Sequence, residues 1–473
     1  MIAVLLLYPL AVIPVVILCK TRLVNILALL SYAVLLAGIS VALYVTPAQF
    51  TSFFGVDSLN ILFLLVLALL MLAVSVYNAG YLWHSTASAA RQAEYTVFFL
   101  LFVGSMVGVI LSQHLAFYWV FLEATTLSSA PLIYFERTNS SLEAAWKYIF
   151  ICSIGIALAF VGIILISLGA GQTGSLFFVD LYKNAGSLVP LWLKLSFPFI
   201  LVGLGTKMGL APVHAWLPDA HSESPSPVSA MLSGTLLNMA LLGILRVFKL
   251  MHLAQLDYYA ANLLLVMGFL SLLISAVFIL RTDNYKRMLA YSSIENMGII
   301  AIGAGIGGIA IYAALLHVVV HSLTKGAFFL TAGNVLHFYK TKETGKIQGI
   351  LKTLPIDGWL WIACFVAISG IPPFPSFTSE FLLVKGMFSK GFYWQSGIFF
   401  LLLTFILYGM GRSVLQMSFG ENNDDRGSHL GKTTRANYLP PLVLLLLLLV
   451  LGIYMPGPVH SLLEHAAQEL SIF

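Results

Sequence analysis

Residues 207–230 read KMGLAPVHAWLPDAHSESPSPVSA and interrupt a chain that is otherwise almost continuously apolar. The preceding segment, residues 191–204, is apolar apart from Lys194 and Ser196, so Lys207 lies within a hydrophobic span. A charge at the centre of a spanning helix costs about 2.5–3.5 kcal/mol on insertion scales, so it needs a partner or a water-filled cavity. The stretch therefore predicts a polar site inside a membrane. The plainer alternative is a lysine that snorkels to the interface beside a proline kink.

The same stretch predicts a helix break near the middle of the membrane. Pro212 has no N–H and cannot continue a helix, and Gly203, Gly205 and Gly209 loosen the turns before it. Irregular backbone at this depth is tolerated only where it is buried in protein or lines water. A lysine, a break and an exit segment rich in His, Asp and Glu together favour an ion or proton path.

The composition indicates a polytopic membrane protein, because 60% of the 473 residues are hydrophobic and only 9% are charged. The net charge of +5 comes mostly from short loops, where membrane orientation explains it better than nucleic-acid binding does. Cys19, Cys152 and Cys364 are far apart in apolar segments, which argues against disulfides and iron–sulfur ligation. We therefore expect no cofactor. The N-terminus lacks a basic n-region and a cleavage site, so residues 1–18 are interpreted as a retained first span.

Allowing about 20 apolar residues for each span, the sequence predicts about fourteen transmembrane helices. They are placed near residues 2–19, 23–45, 58–78, 95–113, 115–134, 142–169, 191–217, 226–249, 256–280, 288–306, 310–338, 356–388, 394–418 and 437–455. The whole chain, 1–473, then forms one transmembrane domain. It has a core at 95–420, N-terminal helices at 1–94, and a C-terminal helix and tail at 421–473, of which 456–473 makes one short surface helix.

The distribution of Lys and Arg supports this count. The odd-numbered loops carry most of the basic residues: Lys20, Arg22, Arg91, Arg137, Arg281, Lys286, Arg287, Lys340, Lys342, Lys346, Lys352, Arg426, Lys432 and Arg435. The even-numbered loops carry little beyond Lys183, Arg246, Lys249 and Lys390. Because basic loops stay in the cytoplasm, both termini are predicted to be external, which means periplasmic in a Gram-negative source.

A second broken helix is predicted where Gly370-Ile-Pro-Pro-Phe-Pro375 falls inside helix 12, ahead of Glu380 and Lys385. Helices 7 and 12 thus lie five elements apart, and each bears a break and a charge. This is the pattern of inverted five-helix repeats, helices 4–8 against helices 9–13, with sites near the midplane.

Further charged groups lie inside predicted spans. Glu123 is an acid among aromatic residues, and Lys207 is its obvious counter-charge. His317, His321 and Lys325 follow i, i+4, i+8 spacing, so they share one helix face within about 80° of arc. Such a face can carry a proton along a span, although a single buried histidine is more often a satisfied core residue.

Two other clusters are interpreted as structural. Glu143 and Lys147 form an i, i+4 pair near an interface. The exit segment contains four possible metal ligands, His214, Asp219, His221 and Glu223, but the prolines among them leave no HxxxH or HExxH spacing. No metal site is therefore predicted.

Four motifs occur together in this chain. They are the run 207–230, YSSIENMG at 291–298, HSLTKGAFF at 321–329 and GIPPFPSFTSEF at 370–381. In this order they resemble the proton-conducting antiporter-like subunits of respiratory complex I, Mrp-type cation/proton antiporters and membrane-bound energy-converting hydrogenases. The resemblance covers about residues 55–420, and it is greatest to the F-type subunit of the hydrogenase 4 and formate hydrogenlyase group.

The resemblance implies a fourteen-helix fold with a hydrated polar axis along the membrane middle. By this likeness Glu123 pairs with Lys207, the helix 11 residues His317, His321 and Lys325 bridge the two halves, and Glu380 ends the axis. With the exit residue His214 and the helix 8 residue Asn238, these form the predicted proton-translocation set. Asn238 departs from the family pattern, which usually has a titratable lysine or histidine there. A proton could pass by water held on the Asn238 amide, or the central role could lie in helix 11.

The function implied is proton translocation within a redox-driven complex, either a hydrogenase 4 or formate hydrogenlyase type or one like NADH-quinone oxidoreductase. Its partners would be the other membrane subunits, protons and the lipid bilayer of the cell inner membrane, with no nucleic acid. The chain has no redox ligands, so it should not itself transfer electrons. The alternatives are an Mrp-like secondary cation/proton antiporter subunit and the membrane partner of an inorganic-carbon uptake system.

Overall fold

Long apolar helices make up nearly all of the chain in the computed structural model, which describes residues 1–46, 53–171, 174–420 and 434–470. The helices are α1 (Ile2–Cys19), α2 (Arg22–Val45), α3 (Ser58–His84), α4 (Ala89–Leu111), α5 (Leu115–Ile133), α6 (Asn139–Gly169), α7 (Phe178–Lys183), α8 (Pro190–Met208), α9 (Trp216–Glu223), α10 (Ser226–Met231), α11 (Leu237–Leu253), α12 (Asp257–Ile279), α13 (Tyr285–Ile306), α14 (Ile309–Tyr339), α15 (Ile350–Thr353), α16 (Pro355–Ile368), α17 (Pro375–Ser389), α18 (Tyr393–Ser418), α19 (Arg435–Ile453) and α20 (Gly457–Leu470). Within those ranges the β-type contacts are isolated bridges, so the described fold is all-α.

Twelve helices of the described residues are long and apolar enough to cross a membrane. One of these spans, Ser226–Leu253, consists of α10 and α11 joined by a π-helical turn at Leu232–Leu236. The remaining two of the predicted spans are α5, which is less apolar, and the segment that is divided into α16 and α17. The protein is thus an all-α polytopic membrane protein with about twelve strongly apolar spans.

Two helices break at the Gly/Pro clusters. α8 ends at Met208, where Gly209 takes a left-handed conformation (φ 82°), and the chain becomes helical again at Trp216. α16 ends at Ile368, and Gly370 (φ 64°) opens the turn that leads to α17. Both breaks lie where the sequence predicts them, because glycine accepts the left-handed backbone and proline cannot continue the ladder of hydrogen bonds.

The broken segments surround a buried centre. The most apolar stretches of α14 and of the Ser226–Leu253 span are completely buried, whereas only 22% of the corresponding stretch is buried in α1 and 28% in α19. The interior is also where the intramembrane charges lie, since Lys207 and Lys325 are fully buried. The intramembrane charges therefore lie in the interior of the bundle, among buried apolar side chains.

Loops that the sequence places on one side of the membrane do meet at one end of the bundle. Lys342 forms an ion pair with Glu223 at 2.9 Å, and Asn284 forms an isolated bridge with Glu343. The predicted basic positions Arg426 and Lys432 lie outside the described residues.

The predicted surface helix near the C-terminus is confirmed as α20. Its apolar side chains, including Leu463 and Ala466, are buried against the bundle. The Glu469 carboxylate accepts hydrogen bonds from the backbone N–H groups of Ser58 and Leu59, at 2.9 and 3.2 Å. The first N–H groups of a helix have no partner within the helix, so this carboxylate stabilises the N-terminus of α3 and links α20 to α3.

Candidate functional site

Lys207 lies in the last turn of α8 and is completely buried. Its Nζ donates to the hydroxyl of Thr126 and lies 3.4 Å from both the carbonyl oxygen of Leu122 and the hydroxyl of Tyr148. The ammonium also lies over the Tyr148 ring, 5.5 Å from its centroid, where the face of the ring attracts a cation. Neutral oxygens and a ring face therefore solvate this charge.

Glu123 is connected to Lys207 through one hydroxyl group. Its Oε2 accepts a hydrogen bond from Thr126 Oγ1 at 3.3 Å, and its Oε1 accepts one from Ser153 at 2.8 Å. Thr126 thus accepts from Lys207 and donates to Glu123. The two predicted partners do come together, but as a hydroxyl-bridged pair and not as an ion pair in direct contact.

The broken backbone beside Lys207 is satisfied by side chains. The indole N–H of Trp216 donates to the carbonyl oxygen of Thr206 at 2.7 Å, and the N–H of Ala211 donates to Ser271 at 2.9 Å. These bonds replace the intrahelical partners that the break removes, which is the condition for irregular backbone at membrane depth. His214 lies in this break, partly buried, and its Nδ1 has no hydrogen-bond partner among the described residues. No described contact joins His214 to another member of the predicted set.

Asn238 lies at the contact between α11 and α14. Its Nδ2 donates to the hydroxyl of Ser322 at 2.8 Å and to the carbonyl oxygen of Gly234 at 2.9 Å. Its Oδ1 is buried and has no partner among the described residues. An unpaired buried carbonyl oxygen is a good acceptor for an ordered water, as the interpretation of Asn238 as a water-holding residue requires.

His321 faces the π-helical turn. This turn shifts the hydrogen-bond register, and the carbonyl oxygen of Ser233 lies 3.3 Å from His321 Nε2. Because a carbonyl oxygen only accepts, Nε2 is the donor, and the buried Nδ1 has no partner in the described part of the chain. A ring with one nitrogen fixed and the other open can take up and release a proton.

The other two residues of the predicted α14 face contact α13. Lys325 Nζ donates to the carbonyl oxygen of Leu289 at 2.8 Å and to the hydroxyl of Ser292. His317 lies with Nε2 2.9 Å from Asn296 Oδ1 and Nδ1 2.8 Å from Ser379 Oγ, which belongs to α17. The helical spacing therefore identifies one buried polar face, and α13 supplies most of its partners.

Glu380 lies in α17 directly after the second break. A Cβ atom at Gly370 would lie 2.3 Å from Glu380 Oε2, so the carboxylate occupies the space that only glycine leaves open. Glu380 lines a cavity of about 380 Å³ together with Glu295 of α13, and most of the remaining lining is apolar. No described contact joins Glu380 directly to the other residues of the predicted set.

Glu295 was not among the residues predicted from the sequence, although the sequence contains a signal for it. Glu295 is an acid inside a predicted span and lies in the YSSIENMG motif, so the argument applied to Glu123 applies equally to it. The Thr126 hydroxyl was not predicted either, and the sequence carries no signal for it, since serine and threonine are common in spanning helices.

The residues interpreted as structural have ionic partners. Lys147 bonds to Glu143 at 2.6 Å and to Asp219 at 3.0 Å, and Asp219 also accepts from Arg287. These bonds tie α6, α9 and α13 together. His221 is completely buried against the Phe329 ring, and both of its nitrogens are without partners among the described residues.

The arrangement can be compared with known proteins. A family model described as "NADH:quinone oxidoreductase/Mrp antiporter, TM" matches residues 112–406, which include every residue of the predicted set. The chain belongs to this family. It is an antiporter-like, ion-translocating membrane subunit of the type found in complex I, Mrp and hydrogenase complexes.

Named relatives and solved structures resemble this antiporter-like subunit. The chain is 35% identical over 426 residues to a hydrogenase-4 component F homolog of Methylacidiphilum infernorum, covering 88% of each chain. Its fold matches a chain of an archaeal membrane-bound sulfane sulfur reductase with a TM-score of 0.89, 24% identity and coverage of 99% of this chain and 97% of that one. A chain of respiratory complex I from Thermus thermophilus matches with a TM-score of 0.83, 23% identity and coverage of 99% and 100%. These relatives are components of multi-subunit membrane complexes.

Proposed function

We propose that this antiporter-like subunit translocates protons within a redox-driven membrane complex of the hydrogenase 4 or formate hydrogenlyase type. The observation that carries the proposal is the series of buried and partly buried polar groups between the two broken helices. It begins with the bridged pair of Glu123 and Lys207, continues through Asn238 and α14, and reaches Glu380. Buried ionisable groups are costly inside a membrane and are typical of proton paths.

Electrostatic switching at Lys207 would drive the transfer. When the Glu123 carboxylate is close, the lysine favours its proton, and when a movement in a neighbouring subunit separates the two, the proton moves on toward α14. Thr126 suits this role because its hydroxyl bonds to both groups and can rotate. Moving one charge against 100 mV requires about 2.3 kcal/mol, which lies within the range of a single buried charge interaction.

The finer architecture belongs to the same proposal. Adding α5 and the α16–α17 pair to the twelve strongly apolar spans gives fourteen, in one domain with a core at residues 95–420. In this arrangement the predicted spans 4–8 (residues 95–249) and 9–13 (residues 256–418) form inverted repeats, each with one broken helix near the midplane. The basic loops then face the cytoplasm, and both termini lie outside the inner membrane.

The electron-transfer subunits would be other chains of the complex. The hydrogenase-4 name of the relative with 88% coverage favours this partner class over the alternatives. An Mrp-like antiporter subunit would exchange Na⁺ for protons without electron transfer. The membrane partner of a carbon-uptake system would require neither Na⁺ exchange nor an electron donor.

The test is proton pumping by the purified complex in proteoliposomes. We expect Lys207→Ala to abolish proton translocation while the complex stays assembled, because it removes the buried ammonium that Glu123 controls. Glu123→Gln should do the same, since it removes the carboxylate charge. The matched control is Lys346→Ala, since this lysine is 64% exposed and pairs only with Glu343 among the described residues. Voltage-coupled pumping by Lys207→Ala at the wild-type rate would refute the proposal, and Na⁺-driven exchange without an electron donor would favour the Mrp-like alternative.

A further inference from the structure

Two carboxyl groups from different helices face one cavity at the far end of the polar series. Glu295 of α13 and Glu380 of α17 both line the cavity of about 380 Å³, whose walls are otherwise mainly apolar side chains such as Phe377 and Leu403. Glu295 is only 6% exposed, and neither carboxylate has a hydrogen bond or ion pair to the described residues. The cavity is far larger than the roughly 15 Å³ that one water requires.

The partners of Lys325 lead to Glu295. Lys325 donates to Leu289 and Ser292, which lie on the same helix as Glu295. Ser292 precedes Glu295 by three residues, so the two side chains are neighbours on the α13 surface. The carboxylate is therefore about one helical turn from the hydroxyl that holds the Lys325 ammonium.

The partners of His317 hold the two acids at one cavity. Its ring lies between Asn296 and Ser379, and these residues are the chain neighbours of Glu295 and Glu380. The Asn296 amide is oriented by its Nδ2, which donates to the Ser292 carbonyl oxygen at 2.6 Å, so its Oδ1 accepts from His317. One imidazole thus connects α13 and α17 next to the residues that carry the two carboxyl groups.

We propose that Glu295 takes the proton from Lys325 and passes it to Glu380 through the cavity. In the first step the Lys325 ammonium loses a proton and becomes a neutral amine, while the Glu295 carboxylate becomes a carboxylic acid. In the second step the Glu295 acid gives that proton to the Glu380 carboxylate by way of water. Two carboxylates beside one apolar cavity repel each other when both are ionised, so the pair favours holding one proton. This inference rests on the proposed function and adds a route that does not need a titratable group at Asn238.

The test compares Glu295→Gln with Glu464→Gln in the purified, reconstituted complex. Glutamine has the shape of glutamate but cannot carry the proton, so Glu295→Gln should lower proton translocation by roughly a hundredfold. Glu464 lies in α20 and is 52% exposed, so its substitution should change nothing. Glu295→Asp keeps the carboxyl group and should retain part of the activity. The double variant Glu295→Gln/Glu380→Gln should be no slower than either single variant, because both groups act in one relay.

Infrared difference spectra give a readout that a purely structural role would not change. The band of a protonated carboxyl group that appears during turnover should be lost in Glu295→Gln. Wild-type translocation by Glu295→Gln, with Lys207→Ala inactive, would overturn the Glu295 route and leave the proposed function standing. Wild-type translocation by both variants would overturn the proposed function itself.

Discussion

Thr126 is the residue at which the two charges of the first pair meet. The Thr126 hydroxyl accepts a hydrogen bond from the Lys207 ammonium and donates one to the Glu123 carboxylate. The orientation of this one hydroxyl therefore affects how well each of the two charges is stabilised. A hydrogen bond to a charged group contributes about 1.5–3 kcal/mol, which is enough to shift a proton equilibrium by more than tenfold. A neutral hydroxyl can therefore control the pair without a large movement of either helix.

We predict that Thr126→Val impairs proton translocation and that Thr126→Ser largely preserves it. Valine has the shape of threonine but leaves Lys207 and Glu123 without their common partner, whereas serine keeps the hydroxyl. The measurement is the rate of vesicle acidification at equal amounts of assembled complex. Equal rates for the valine and serine variants would show that the bridge has no role.

Asn238 allows a test at the centre of the molecule. A lysine there would place a positive charge beside Ser322 on α14, the helix that carries His321 and Lys325, and like charges repel strongly in a low-dielectric interior. We predict that Asn238→Lys impairs pumping and that Asn238→Ala impairs it less than His321→Ala does. The hypothesis of a route along α14 would fail if Asn238→Lys pumped normally and His321→Ala had no effect.

At the scale of elements, the breaks bring charged groups and irregular backbone to the same depth. The break between α16 and α17 depends on Gly370, which accepts the φ of 64° and whose missing Cβ leaves room for the Glu380 carboxylate. The break between α8 and α9 depends on Gly209 and on the bond from Trp216 to Thr206. Each break is thus a specific arrangement of packed groups and not a loosened helix.

We predict that Gly370→Ala destabilises the protein by about 1–3 kcal/mol and impairs translocation, because alanine is strained at this φ and displaces Glu380. The matched control is Gly397→Ala within α18, where nothing lies within 4 Å of the added Cβ. That change should be neutral or stabilising, since alanine favours the helix. Thermal unfolding and vesicle acidification would be measured for both, and equal behaviour would contradict the role given to Gly370.

Much of this architecture could be predicted because local sequence patterns are enough to identify membrane-spanning helices. Apolar length places the spans within a few residues, Gly and Pro place both breaks, and i, i+4 spacing places His317, His321 and Lys325 on one buried face. Contacts between helices that are distant in the chain could not be predicted from the sequence. The Thr126 bridge, the π-helical turn opposite His321 and the cavity shared by Glu295 and Glu380 depend on packing, which periodicity does not encode.

At the scale of the whole molecule, the spanning helices differ in how much of their apolar surface the bundle covers. In the most apolar stretches of α1 and α19 only 22% and 28% of the residues are buried, as is expected of helices in contact with lipid or with neighbouring subunits. Two of the ion pairs between loop segments, Glu223 with Lys342 and Asp219 with Arg287, lie at one end of the bundle. This end is the one that the Lys/Arg distribution assigns to the cytoplasm.

Cysteine labelling in intact cells tests that orientation. Cys19 is exposed whereas Cys152 and Cys364 are buried, so a Cys19→Ser background should react little with a membrane-impermeant maleimide. In this background we predict that Glu464→Cys is labelled from outside and that Lys346→Cys is labelled only after the cells are opened. The reason is the excess of lysine in the loop around residue 346, which favours the cytoplasmic side. Both side chains are more than half exposed, so access to the thiol does not limit the comparison. Labelling of Lys346→Cys but not Glu464→Cys in intact cells would reverse the orientation, and with it the side from which protons enter.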